Sequence, residues 1–433
     1  MNRIGIAGFH QFDAGGAMMQ GLPPVVEPTP YLSDAWKENF AYAIRLADSL
    51  GMEVGIASAP GWSSTGGPWV EPADAMKKLT WRTLEVKGGS RQTITLPEPY
   101  RTIGKFQNVD AGAYASVYEK MTPWYQDIAV VAVRVPESER TLAQLGARIS
   151  SSGGAFTLEQ LTNGDLSDGV ELPLNDSGTH AWIQYSFPEP VTIRAFTLTG
   201  GEMNDTFATQ RTQNNYLLSS QDGEHWEEVC RIPSSPVPQL TASIPETTAR
   251  FFRLMIINPQ PDYSLIYYGF PMVYPTGTRI YEWELHPAGK VNHAEEKAGF
   301  ASPVDLGDYP TPALPATVAE TVDLTPLLKA DGTLEWNVPA GRWRIYRFGA
   351  SLTGKQNHPA PPEATGLEVD KLDPDAWNRY FHNYLDLYKE AAGGMLGPRG
   401  IRYLMIDSYV YTLYIIIERT FLSVKIAFAQ SIQ

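Results

Sequence analysis

The feature that most constrains this chain is an interrupted periodicity. A strand–helix–strand pattern opens the sequence, gives way to a long stretch of strand-like alternation, and returns after Ala350. Apolar residues repeat every 3.6 positions on a buried helix face and every 2 on a strand, so the two kinds of segment cannot exchange roles. At the start, Ile4 to Phe9 reads as a short buried strand. Ser33 and Asp34 offer a helix start, and Trp36, Phe40, Ile44, Ala47 and Leu50 follow at helical spacing up to Gly51. Met52 to Ser58 is the next strand. After Ala350, Thr365 to Lys371 reads as a strand with its loop. Asp373 then caps a helix with Pro374 at its first position, Trp377, Phe381, Tyr384 and Tyr388 form its apolar stripe, and Gly393-Gly394 ends it. Ile401 to Ile406 is a further buried strand, ending at Asp407. Strand, helix, strand is the unit of a parallel sheet or a (β/α) barrel.

The fold class is therefore α/β plus β: a partial (β/α) barrel interrupted by β-sandwich material. Residues 1–79 and 351–409 are the two parts of the barrel, and 80–150 and 266–350 the two parts of a β-rich domain. In that domain Leu79 to Val86, Asp127 to Val135 and Arg279 to Leu285 read as strands. Leu334 to Val338 and Arg342 to Phe348 read as a hairpin turned at Pro339-Ala340-Gly341. An insert at 151–265 reads as a β-sandwich. Ile183, Tyr185 and Phe187 alternate on one face of a strand, and Val191, Ile193 and Ala195 do so in the next. Tyr216 to Ser220 leads to the turn Asp222-Gly223, with Trp226 just beyond, and Phe251 to Ile257 closes the set. Trp182–Tyr185, Ser219–Gly223 with Trp226, and Arg250–Leu254 resemble the discoidin (coagulation factor 5/8 type C) jelly roll. That resemblance implies either glycan binding or simple packing beside a catalytic domain.

A chain of 433 residues suits two to four domains. With 43% hydrophobic and 19% charged residues it can bury a real core. The net charge of −14, without a basic stripe, argues against a nucleic-acid partner and leaves neutral sugars open. Eleven Trp and 22 Tyr suit sugar binding, since an aromatic face covers the C–H face of a pyranose; the same rings can simply fill β-rich cores. Cys230 is the only cysteine, so no internal disulfide forms, which fits the cytoplasm and also a periplasmic protein without disulfides. Met1-Asn2-Arg3 runs straight into the first strand with no secretory signal, and the expectation is that upstream sequence is missing.

Candidate chemistry lies at the ends of the barrel strands, where the active site of such a fold sits. The loop Ala59 to Val70 carries Trp62, Trp69, three hydroxyls and several Gly and Pro residues. Trp62 can stack on a sugar or plug the barrel mouth. The stretch Asn357 to Lys371 is rich in hydrogen-bonding groups and stiffened by proline. Glycoside hydrolysis usually needs two carboxyl groups, one protonating the leaving oxygen and one activating water or attacking. Glu368 and Asp370 alternate with Leu367 and Val369, so a strand would turn both to one side. They can be an acid and a binding group, ligands for a hard cation such as calcium, or a solvated ion pair with Lys371. Asp407 can be functional or can cap the following turn. Asp13, in the loop after the first strand, and His358 are substrate-binding candidates; His358 can equally be an ordinary surface residue. No Walker loop, dinucleotide fingerprint, zinc-ligand spacing or serine nucleophile elbow is present.

These segments carry a resemblance to a family. Ser58–Ser63 through Gly67–Val70, Asn357–Glu363, Gly366–Lys371 and Leu404–Tyr409 occur in the order found in the α-L-rhamnosidases of glycoside hydrolase family 106. With Gly332–Trp336 and Pro339–Trp343 between them, the similarity covers most of residues 1–409. It implies a (β/α)8 catalytic barrel with β-sandwich attachments, inverting hydrolysis of terminal α-L-rhamnosides on plant or bacterial oligosaccharides or polysaccharides, and calcium at the active site. Glu368, Asp370 and Asp407 match acidic positions of its motifs. The expected roles are catalysis for Glu368 and Asp407, metal binding for Asp370, and substrate binding for Trp62, His358, Asp13 and Lys371. The resemblance also implies a periplasmic or secreted parent. Val410 stands where members usually place an acidic residue, and residues 410–433 do not match. The chain is thus expected to be an incomplete and inactive piece. Glu418, Arg419 and Lys425 break the apolar tail, so no membrane helix is expected. The alternative function is a non-catalytic carbohydrate-binding protein that uses the jelly-roll insert.

Overall fold

A computed structural model describes residues 2–15, 29–104, 108, 121–136, 139–166, 168–174, 180–200, 214–232, 237–257, 277–300, 309–312 and 321–406. The described residues divide into two compact units, one within 2–77 and 354–406 and the other within 78–353.

The first unit opens with β1 (Gly8–Gln11), α1 (Asp34–Ser49) and β2 (Glu53–Ala57). β1 and β2 are parallel, with Gly8 opposite Glu53. The strand expected from Ile4 starts later than that. Gly51, at φ +63, turns the chain out of α1, so β2 begins only at Glu53 and residues ahead of Ala7 find no partner strand. Asn2–Ile4 forms one 3-10 turn instead, and Ile4 is 78% exposed. The helix forms as its sequence dictates. The Ser33 hydroxyl accepts from the Trp36 N–H, and Trp36, Phe40, Ile44 and Ala47 are buried, although Leu50 is not.

In the second unit come β3 (Lys77–Lys87), β4 (Ser90–Thr95), β5 (Tyr125–Val135), β6 (Arg148–Ser151), α2 (Leu158–Thr162), β7 (Val170–Pro173) and β8 (His180–Gly200). After them run β9 (Asn214–Ser220), β10 (Glu227–Arg231), β11 (Gln239–Ile257), β12 (Gly277–His286), α3 (Ala294–Lys297), β13 (Thr321–Asp323), β14 (Thr333–Val338) and β15 (Arg342–Leu352). One sheet runs β10-β9-β11-β8-β12-β7, with β6 also on β8. β8 and β11 are long and pass through register shifts between Ser243 and Thr247 and between Ala249 and Phe251. Inward residues before and after Pro188-Glu189-Pro190, such as Ile183 and Ile193, join one core with Phe252, Leu254 and Trp283. β12 was expected in the flanking domain; its hydrogen bonds to β8 and β7 place it in this sheet, because Trp283 and Leu285 complete that core.

A second sheet runs β13-β5-β15-β3. Along β5, Ala129, Val131 and Val133 face one core while Val130 and Ala132 face another, so both faces are covered. The expected Leu334–Phe348 hairpin does not form. β14 pairs with β4, Trp336 opposite Gln92, while β15 pairs with β5. The turn at Gly341, φ +116, carries the chain from one layer to the other across the core of Trp336 and Trp343.

The chain then returns to the first unit through α4 (Pro374–Ala391) and β16 (Ile401–Met405). Asp373 caps α4 by accepting from the N–H groups of Asp375 and Ala376. The buried stripe is Ala376, Tyr380, Tyr384 and Tyr388, one position off the expected Trp377 and Phe381, which are half-buried. The tyrosines take the inner positions because Tyr380 and Tyr384 can donate to the carbonyls of Ser58 and Ala57, whereas buried Trp377 would need its own acceptor. β16 lies parallel to β2, giving the order β1-β2-β16. The three described strands form an open parallel sheet, and the segment Thr365 to Lys371 makes isolated bridges, Gln356–Leu367 and Ala75–Val369, instead of a strand. Tyr403, Leu404 and Ile406 are exposed on the edge. No described helix is long and apolar enough to cross a membrane.

Candidate active site

The loop after β2 and the loop 354–371 are laced together in the first unit. Trp62 N–H donates to the His358 carbonyl (3.1 Å), and His358 N–H donates to the Ser63 hydroxyl (3.0 Å). Asn357 is buried and uses both ends of its amide. Its Nδ2 donates to the carbonyls of Pro60 and Ala364, and its Oδ1 accepts from Gly366 N–H. Gly366 is needed for contact alone, since a Cβ there would lie 2.1 Å from the Gly67 carbonyl carbon. Further on, Gly67 N–H reaches the Leu367 carbonyl, Met76 N–H the Glu368 carbonyl, and Asp370 N–H the Asp74 carbonyl. These bonds give the irregular backbone its partners without a strand.

Within this lacework Glu368 is completely buried and paired with buried Lys371 through Oε2. Its Oε1 is buried and makes no hydrogen bond. Burial raises the Glu368 pKa above the usual carboxylate range, against the opposing pull of Lys371, Ser63 and Lys355. The solvated ion pair considered for this sequence is excluded by that burial. Asp370 is also buried but meets a different lysine, Lys77, at 3.7 Å, and its Oδ1 accepts from Leu372 N–H. Burial raises Asp370 and lowers Lys77, each opposed by the other's charge. The two carboxyl groups are therefore not a pair sharing one ligand, because without a strand the alternation that would align them is lost.

The described residues do not fit calcium. A cationic ammonium already lies against each carboxylate, where a dication would have to sit. No group of three or more His, Cys, Asp or Glu side chains suited to a metal occurs among the described residues.

Trp62 is 51% exposed and His358 is exposed, so their linked backbones present a ring and an imidazole together at the surface of the unit. Asp13 serves the fold. Its carboxylate accepts from Tyr388 Oη (2.8 Å), Trp36 Nε1 (3.1 Å) and Gln11 Nε2 (3.3 Å), and its carbonyl accepts from Gly61 N–H. These bonds join β1, α1 and α4. Asp407 lies outside the described residues. Lys77 and Lys355 went unnoticed in the sequence; the signal was a charged residue directly beside the apolar run Ala75-Met76 and beside the proline-stiffened loop.

A family model described as alpha-L-rhamnosidase, that of glycoside hydrolase family 106, matches residues 1–412. The chain belongs to glycoside hydrolase family 106. A solved rhamnosidase from Novosphingobium sp. PP1Y is 35% identical, with a TM-score of 0.77 over 95% of this chain. A protein of Formosa agariphila that carries a provisional beta-glucuronidase name is 22% identical over 88% of this chain. This family 106 chain spans 36% of the Novosphingobium protein and 19% of the Formosa one.

Proposed function

We propose that this family 106 chain is the part of a glycoside hydrolase that contributes Glu368 to the cleavage of terminal α-L-rhamnosides with inversion. The parent acts on oligosaccharides or polysaccharides outside the cytoplasm. The observation that carries the reading is Glu368 itself, a carboxyl held proton-retentive by burial, with one oxygen unpartnered, in the loop tied to the exposed Trp62 and His358. A carboxyl with a raised pKa can protonate a leaving glycosidic oxygen near neutral pH. Lys371 fixes the other oxygen and so orients the group, and Trp62 offers a ring face to the sugar. The second carboxyl that inversion requires is assigned to Asp407. Any calcium would draw its ligands from elsewhere than Glu368 and Asp370.

We propose that the complete site belongs to a (β/α)8 barrel and, since the chain spans 36% of the Novosphingobium rhamnosidase, that it does not turn over alone. Assay of this chain on p-nitrophenyl α-L-rhamnoside with added calcium should give no release above a Glu368→Gln control. Sustained turnover above that control would contradict the proposed dependence on further strands.

A further inference from the structure

The second unit holds a cavity of about 360 Å3. Its floor is one face of the sheet β13-β5-β15-β3. Trp81 and Glu85 alternate along β3, and Arg342 and Arg344 along β15, so period-2 geometry brings all four side chains to the same side. The wall opposite is the end of β12 and the turn after it, with Glu284, Lys290 and Ala288, and residues 139–144 close one flank.

The charges within it are matched. Arg344 bridges Glu85 and Glu139 at 2.6 Å each, and Arg342 stands 3.4 Å from Glu85. Lys290 and Arg344 both act on Glu284, which burial pushes above its usual pKa. Three carboxylates thus stand against three buried or half-buried cations, with exposed Arg140 at the rim; His286 is held neutral by burial and bonds to Thr197. An incoming anion would meet the carboxylates and an incoming dication the guanidinium groups. A neutral polyol meets neither penalty, because each of its hydroxyls can donate to a carboxylate and accept from an arginine. The Glu139 Oε2 is buried with no hydrogen-bond partner, so a side-chain rotation that brings it to the cavity would be offset by a bond from a ligand hydroxyl. The volume falls in the range of roughly 300–1,000 Å3 usual for small-molecule sites.

We propose that this cavity is a second, non-catalytic binding site for a neutral saccharide unit, with Glu139 and Arg344 as its hydroxyl-binding pair and Trp81 as its aromatic wall. The reading is independent of Glu368. The test is ligand-observed saturation-transfer NMR on the full chain, titrating L-rhamnose, D-galactose, D-glucose, D-glucuronate, inorganic phosphate and calcium chloride separately. At least one neutral sugar should bind in the millimolar range. Glu139→Gln and the cavity-filling Ala288→Trp should each weaken it at least tenfold, while Glu368→Gln leaves it unchanged. Thermal melts accompany each variant, and if Glu139→Gln fails to fold, Ala288→Trp decides the matter. Binding of no neutral sugar, sugar binding that survives both cavity variants or is abolished by Glu368→Gln, or binding of only glucuronate, phosphate or calcium would overturn the proposal.

Discussion

Glu368 and Lys371 are buried together, and the cost of separating them is the plainest residue-scale consequence of the structure. Removing one partner of a buried hydrogen-bonded pair leaves the other group unsatisfied in a poor solvent and typically costs about 1–3 kcal/mol, more where that group is charged. Lys371→Met should destabilise the chain by about that amount in urea denaturation. Adding Glu368→Gln to it should recover part of the loss, and equal losses in the single and double variants would mean that the pair is not coupled. In the full-length parent, Glu368→Gln should lower kcat by about 100-fold or more, since proton-transfer groups contribute on the order of 10²–10⁴. Trp62→Ala should act mainly on KM, because an exposed ring that stacks on the sugar contributes binding without moving protons. A fall confined to kcat would remove Trp62 from the sugar contact.

At the scale of elements, β12 carries a pH-sensitive group into the sheet of β8 and β11. Glu282 is buried beside Glu284 and is pushed up to about 7, with only the Gln239 amide and Thr199 pulling it down. Unfolded, the same carboxyl titrates near 4.5. Between those values the folded chain keeps a proton that the unfolded chain has lost, so this group's contribution to stability falls as pH rises from about 4.5 to 7 and stays low above it. The difference is on the order of 3 kcal/mol. Glu282→Gln should therefore raise the melting temperature at pH 8 and change it little at pH 5; the same shift at both pH values would refute this origin. Element types were largely legible in the sequence, since Ser33, Asp373 and the helical stripes name their helices. Pairing was not. Neither the layer change at Gly341 nor the recruitment of β12 leaves a local signal, because both depend on which distant core Trp283, Trp336 and Trp343 complete. At the site, the sequence marked Glu368, Trp62 and His358, but the lysine that meets each carboxylate depends on backbone bonds such as Met76–Glu368 that join segments almost 300 residues apart.

At the scale of the molecule, the core under the sheet of β8 and β11 runs past residue 265. It includes Leu142 on one side and Ile280, Trp283 and Leu285 on the other, and Trp283 stacks on Tyr185 at 4.5 Å. A fragment spanning 139–300 should melt cooperatively, whereas one spanning 151–265 should not, since it exposes the face that Trp283 covers; cooperative melting of the shorter fragment would show that β12 is dispensable. The first unit is proposed to belong to an inverting rhamnosidase site that depends on Glu368. The most direct measurement follows, by proton NMR, the anomer first released when the full-length parent and its Glu368→Gln variant cleave p-nitrophenyl α-L-rhamnoside. β-L-rhamnose should appear before mutarotation, and the variant should release it at least about 100-fold more slowly. Initial release of the α anomer would contradict inversion, and near-wild-type release by the variant would contradict the role of Glu368.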